Sequence, residues 1–121
     1  MLVDLVHTKT DDDVTLSGIV LVPEVPRTDL LIDAMVMVHG SGGNFYLSPS
    51  NPRAVRLKEM GIPTALLNTR GHDVVGGRAG AVRTGNAYEK LSDTHLDLKA
   101  MVNLMVGRGY RRVGIWGSSL G

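Results

Sequence analysis

Residues 34–38, Ala-Met-Val-Met-Val, are apolar at every position and run directly into His39-Gly40-Ser41-Gly42-Gly43. A strand wetted on one face alternates apolar with polar residues. A strand apolar throughout is covered on both faces, as in a parallel sheet with helices on each side. The same kind of run recurs at Pro63–Leu67 and, in shorter form, within Arg112-Val113-Gly114-Ile115-Trp116. Helical segments separate these runs. Asn51 and Pro52 predict a helix capped by Asn51, carrying Ala54, Val55, Leu57 and Met60 and closing at Gly61. A second helix is predicted from about Ser92 to Val106. Leu91, Leu98, Met101, Val102 and Met105 recur there at helical spacing, Asp93 and Asp97 favour its N-terminal half, and Gly107 and Gly109 end it. Strands alternating with helices imply right-handed crossovers and a parallel sheet, so the fold class is α/β.

The first 22 residues read differently, as two strands. Leu2, Val3, Leu5 and Val6 mark one, and Thr10-Asp11-Asp12-Asp13 supplies a solvated turn that lacks the rest of a calcium-loop pattern. The second runs from Val14 to Val22, with Val14, Leu16, Val20 and Val22 on one face and Ile19 and Leu21 on the other. An antiparallel opening hairpin is expected, followed by an extended connector holding Pro23 and Pro26. Residues 69–87 contain Gly71, Gly76, Gly77, Gly80 and Gly85 and few large apolar side chains, the composition of a long functional or mobile loop.

Composition narrows the function. The chain has 121 residues, 43% hydrophobic and 4% aromatic, so one small domain with an aliphatic core is expected. Thirteen basic against twelve acidic residues leave a formal charge of +1 spread along the chain, which gives no reason to expect a nucleic-acid partner. The absence of cysteine excludes disulfides, thiolate zinc sites and cysteine nucleophiles. No apolar stretch approaches the roughly 18 residues of a membrane span, and Met1-Leu2-Val3-Asp4 lacks the basic start of a secretory signal. A soluble, cytoplasmic protein is the expectation.

Gly117-Ser118-Ser119-Leu120-Gly121 fits G-x-S-x-G with Ser119 at its centre. The chemistry explains the spacing. A serine on a tight turn after a strand exposes its oxygen above the sheet, and its neighbours two residues away must be small to avoid collision. The Leu120 N–H would serve as one oxyanion donor. The glycine-rich turn after the earlier buried strand lets a second N–H, that of Ser41, face the same site.

With these residues in view, the chain resembles the N-terminal part of an α/β-hydrolase, from the opening hairpin to the nucleophile elbow. The resemblance is carried by Val38-His39-Gly40-Ser41-Gly42-Gly43, by Asn68-Thr69-Arg70-Gly71-His72 and by Gly117-Ser118-Ser119-Leu120-Gly121. The middle segment is similar to the R-G-H turn of serine esterases, lysophospholipases and S33-type peptidases. The resemblance implies Ser119 as nucleophile, Ser41 and Leu120 as backbone oxyanion donors, a small-molecule acyl substrate, and no cofactor or metal. In this superfamily the acid and histidine follow later strands, in the order Ser, Asp/Glu, His. The 121 residues would then form an incomplete domain, five of eight strands, with little catalysis of their own. Its last strand would be an exposed apolar edge.

Other readings stay open at this level. Ser41-Gly42-Gly43 would also suit a phosphate-cradling turn, although no Walker Lys-Ser/Thr follows and Phe45 stands at the third-glycine position of a dinucleotide fingerprint. A non-catalytic α/β domain binding a nucleotide or partner through residues 40–46 and 69–87 is the alternative function. His7 and His95 are expected in structural or surface roles. His72, beside Asp73, is conceivable as a stand-in general base, and His39 is expected to shape its own turn.

Overall fold

Strand β3 (Ala34–Val38) lies between β4 (Thr64–Leu67) and β7 (Val113–Gly117) and runs parallel to both, with Val36 opposite Ala65 on one side and Ile115 on the other. The computed structural model describes residues 1–48 and 50–121. Its first strands, β1 (Asp4–Lys9) and β2 (Thr15–Leu21), form the expected antiparallel hairpin, and β2 joins the sheet antiparallel to β4. The order across the five-stranded sheet is β1-β2-β4-β3-β7.

The two apolar faces of the central strands meet different partners. Val14, Leu16, Val20, Val36, Val38, Ala65 and Leu67 cluster with Ala100, Met101 and Met105 of helix α2 (Thr94–Gly107). Leu21, Met37 and Leu66 cluster with Ala54 of helix α1 (Asn51–Glu59), with Ile19, Val55 and Leu57 around them. The alternation expected for β2 is therefore found, except that Val22 lies past the strand end and is exposed. Leu91 is also exposed, in a 3₁₀ turn (Leu91–Asp93) that precedes α2 and moves its start to Thr94. Ser50, not Asn51, occupies the N-cap position of α1. Two adjacent residues of good capping chemistry differ too little in sequence to place that boundary.

The long glycine-rich segment has structure of its own. Strands β5 (Gly77–Ala79) and β6 (Val82–Thr84) pair antiparallel, and a 3₁₀ turn follows at Asn86–Tyr88. The Asp11-Asp12-Asp13 turn is solvated as expected, with all three residues exposed, and Asp12 is in addition anchored to buried Arg70. Asp11 pairs with Lys99 at 2.6 Å, Asp13 with Lys9 at 2.7 Å, and Asp12 accepts two bonds from the Arg70 guanidinium at 2.7 and 2.9 Å.

Strand β7 stands at the sheet edge with Ile115 and Trp116 exposed, as the resemblance implies. Asp33 secures its entry by accepting from the Arg111 and Arg112 N–H groups and from the Arg112 side chain. No helix among the described residues is long and apolar enough to cross a membrane.

Candidate active site

Parallel pairing places the C-terminal ends of β3, β4 and β7 together, so the turns that follow them share one rim of the sheet. The turn after β7 is joined to the C-terminal end of β3 by the Ser118 N–H, which donates to the Val38 carbonyl at 3.1 Å. Gly121 closes its own turn onto Ser118 at 3.0 Å. A Cβ on Gly121 would lie 2.6 Å from the Val38 carbonyl oxygen and 2.7 Å from that of His39, so only glycine allows this approach.

Ser119 sits at the apex of that turn with φ +60°. Left-handed backbone costs a non-glycine residue about 1 kcal/mol, and surrounding contacts must hold it there. Ser119 is exposed, and its hydroxyl has no hydrogen-bond partner among the described residues. It borders a cavity of about 210 Å³ with Gly40, Ser41, Gly43, Ser48 and Ser118. The Gly40 backbone presses against it: a Cβ at Gly40 would stand 2.8 Å from Ser119 Cβ.

The loop after β3 turns sharply, the Gly43 N–H donating to the Gly40 carbonyl at 3.0 Å with Gly42 at φ +63°. Ser41 borders the Ser119 cavity and also a small cavity of about 20 Å³ that Leu120, Glu89, Leu91 and Thr94 line. Among the described residues, the N–H groups of Ser41 and Leu120 donate to no protein acceptor, whereas those of Gly43, Ser118 and Gly121 do. Ser41 lines both cavities, whereas Ser119 lines only the larger and Leu120 only the smaller.

His39 is buried beneath this loop. The Thr69 N–H donates to its Nε2 at 3.0 Å, which makes Nε2 an acceptor and places the ring proton on Nδ1, where it donates to the Gly40 carbonyl at 2.8 Å. Burial holds its pKa below the ordinary histidine range. Both ring nitrogens are committed to shaping the turn. His72 is turned elsewhere: its Nδ1 pairs with Asp73 Oδ2 at 2.7 Å, and its ring lies over Gly76 in a cavity that Ser119 does not border. His7 bonds Ser17 in the opening hairpin and His95 bonds the Ser92 carbonyl at the start of α2.

Two polar hubs support the rim, and the pairing within each joins residues distant in the chain. The first is Arg70, 4% exposed, whose N–H and Nε each donate to Asp97 at 2.8 Å while its other nitrogens hold Asp12. Burial raises the Asp97 pKa, against the Arg70 donors that favour its ionised form. The visible signal was Asp97 itself, placed four and eight residues before Met101 and Met105 on the buried face of α2. The second hub is Asp73, which accepts from Tyr46, His72 and Asn44. Those three donors, Tyr46 foremost, lower its pKa to about 2.

No family model and no curated protein sequence matches the chain. Solved structures do. The α/β hydrolase GrgF from Penicillium sp. sh18 superposes with a TM-score of 0.72 at 19% identity, over 97% of this chain and 37% of its own. The Pyrococcus furiosus esterase Pf2001 gives 0.72 at 22% identity, over 99% of this chain and 42% of that one. DcsB, solved in complex with its substrate analogue, gives 0.72 at 16% identity, over 99% and 38%. The chain spans about two fifths of the length of these proteins, on the coverages of 37–42% just given. It has the fold of the N-terminal portion of an α/β-hydrolase.

Proposed function

We propose that these residues belong to a serine hydrolase that cleaves a carboxylic ester through an acyl-enzyme on Ser119. The observation that carries this reading is the left-handed backbone of Ser119, an exposed serine held at φ +60° against Gly40. Strained backbone clusters at functional sites. Exposed Asp13 in the hairpin turn shares the left-handed geometry at φ +66°, but only Ser119 combines it with a place after a parallel strand, packed against Gly40.

In the reaction, Ser119 Oγ attacks the ester carbonyl carbon and the carbonyl oxygen becomes an oxyanion. The N–H groups of Ser41 and Leu120 receive that charge, and each such donor is worth on the order of 100-fold in turnover. The serine proton passes to a histidine, which returns it to the departing alcohol; water then attacks the acyl-enzyme by the reverse route. His39 cannot take the proton while Nε2 accepts from Thr69, and His72 faces another cavity. In this reading the histidine and its acid follow Ser119 in the superfamily's order Ser, Asp/Glu, His, and catalysis belongs to the full-length protein.

The test is hydrolysis of short-chain p-nitrophenyl esters by full-length protein and its Ser119→Ala variant. Loss of at least about 1,000-fold in kcat supports the assignment. Unchanged turnover overturns it, and tight phosphate-ligand binding without turnover would favour a non-catalytic nucleotide-binding domain instead.

A further inference from the structure

Three of the four residues from Gly40 to Gly43 are glycine, so the loop has little conformational preference of its own. An oxyanion donor works only when fixed before the charge appears. Something outside the loop must therefore hold Ser41.

The Ser41 hydroxyl donates to Asn86 Oδ1 at 2.7 Å, across 45 residues of chain. The Asn86 N–H donates to the Asp73 carbonyl at 2.9 Å, and the Asp73 N–H donates to the Gly43 carbonyl at 2.9 Å. The loop, the turn at Asp73 and the 3₁₀ turn at Asn86 thus close a ring of hydrogen bonds. Asn44 Nδ2 adds a bond to Asp73 Oδ1 at 2.7 Å. The ring is anchored to the interior because Gly85 N–H donates to the carbonyl of buried Arg70 at 2.6 Å. Asn86 is itself exposed and belongs to neither hydrophobic cluster, so folding places little demand on its side chain. Its amide oxygen has one evident task, which is to hold Ser41.

We propose that Asn86 is a positioning residue: by accepting from the Ser41 hydroxyl it fixes the Ser41 N–H opposite that of Leu120. This rests on the hydrolase reading above. Asn86 touches no reacting atom and acts only through Ser41. The bond is removed from one end by Asn86→Ala and from the other by Ser41→Ala, which keeps the backbone N–H in place.

The experiment measures ester hydrolysis and thermal unfolding of the full-length protein, both single variants, the double variant and Ser119→Ala. Each single variant is expected to lower kcat about 10- to 100-fold, with KM within about twofold and an unfolding midpoint close to that of the parent. The double variant should be no slower than the slower single, since both changes remove one bond. A kcat for Asn86→Ala within about twofold of the parent, or losses that multiply in the double variant, overturns the proposal. Ser119→Ala separates the two layers. If it abolishes turnover while Asn86→Ala is neutral, only the positioning role fails; if it leaves turnover intact, the hydrolase reading fails and takes this role with it.

Discussion

Gly40 and Ser119, 79 positions apart in the chain, lie in backbone-to-side-chain contact, and a methyl group on Gly40 would stand 2.8 Å from Ser119 Cβ and 3.4 Å from its Oγ. A separation of 2.8 Å between carbon atoms is well inside van der Waals contact, so one of the two must move.

Gly40→Ala should therefore displace Ser119 rather than unfold the protein, because the collision is at the rim and not in either hydrophobic cluster. A misplacement near 1 Å costs about 100-fold in rate. Full-length Gly40→Ala protein is expected to lose about that much kcat on a short ester while its circular dichroism stays unchanged.

Arg70 and Asp97 form a buried pair, at 4% and 0% exposure. Arg70→Met would leave the Asp97 carboxylate buried opposite an apolar chain, a change expected to cost about 3–5 kcal/mol. Burial raises the Asp97 pKa, so protonation relieves the unpaired charge. The deficit should be largest at neutral pH and should narrow as pH falls through the raised Asp97 pKa. Urea unfolding of parent and variant over a pH series from neutral well into acid reads this directly; a deficit that stays constant throughout the series, or grows in acid, contradicts it.

Asp73 has the opposite sign. Its donors lower its pKa from the ordinary 3.8 to about 2. A carboxylate depressed in the folded state adds stability that is fully present above its unfolded value and is lost as pH falls through the folded one. Stability attributable to Asp73 should therefore disappear between about pH 4 and pH 2. Asp73→Asn is expected to flatten the fall in urea midpoint across that interval.

The scaffold was readable because its signals are local. Ala34–Val38 is apolar on both faces and is buried on both, and the alternation within β2 sends Leu16 and Val20 to one helix and Leu21 to the other. The β5–β6 hairpin was not readable. Its strands are three residues long and mostly exposed, too short to show a period of two. The supports of the candidate site were hidden for another reason. Arg70–Asp97 and Ser41–Asn86 join residues 27 and 45 apart, and no local pattern announces which distant partner a polar side chain will meet. Asp97 on the face of Met101 and Met105 marked one partner without naming the other.

An activated Ser119 nucleophile is read most directly by covalent labelling. Full-length protein treated with a fluorophosphonate should gain one adduct by intact mass, peptide mapping should place it on Ser119, and Ser119→Ala should take up none. Labelling at another residue, or full labelling of Ser119→Ala, would contradict the account.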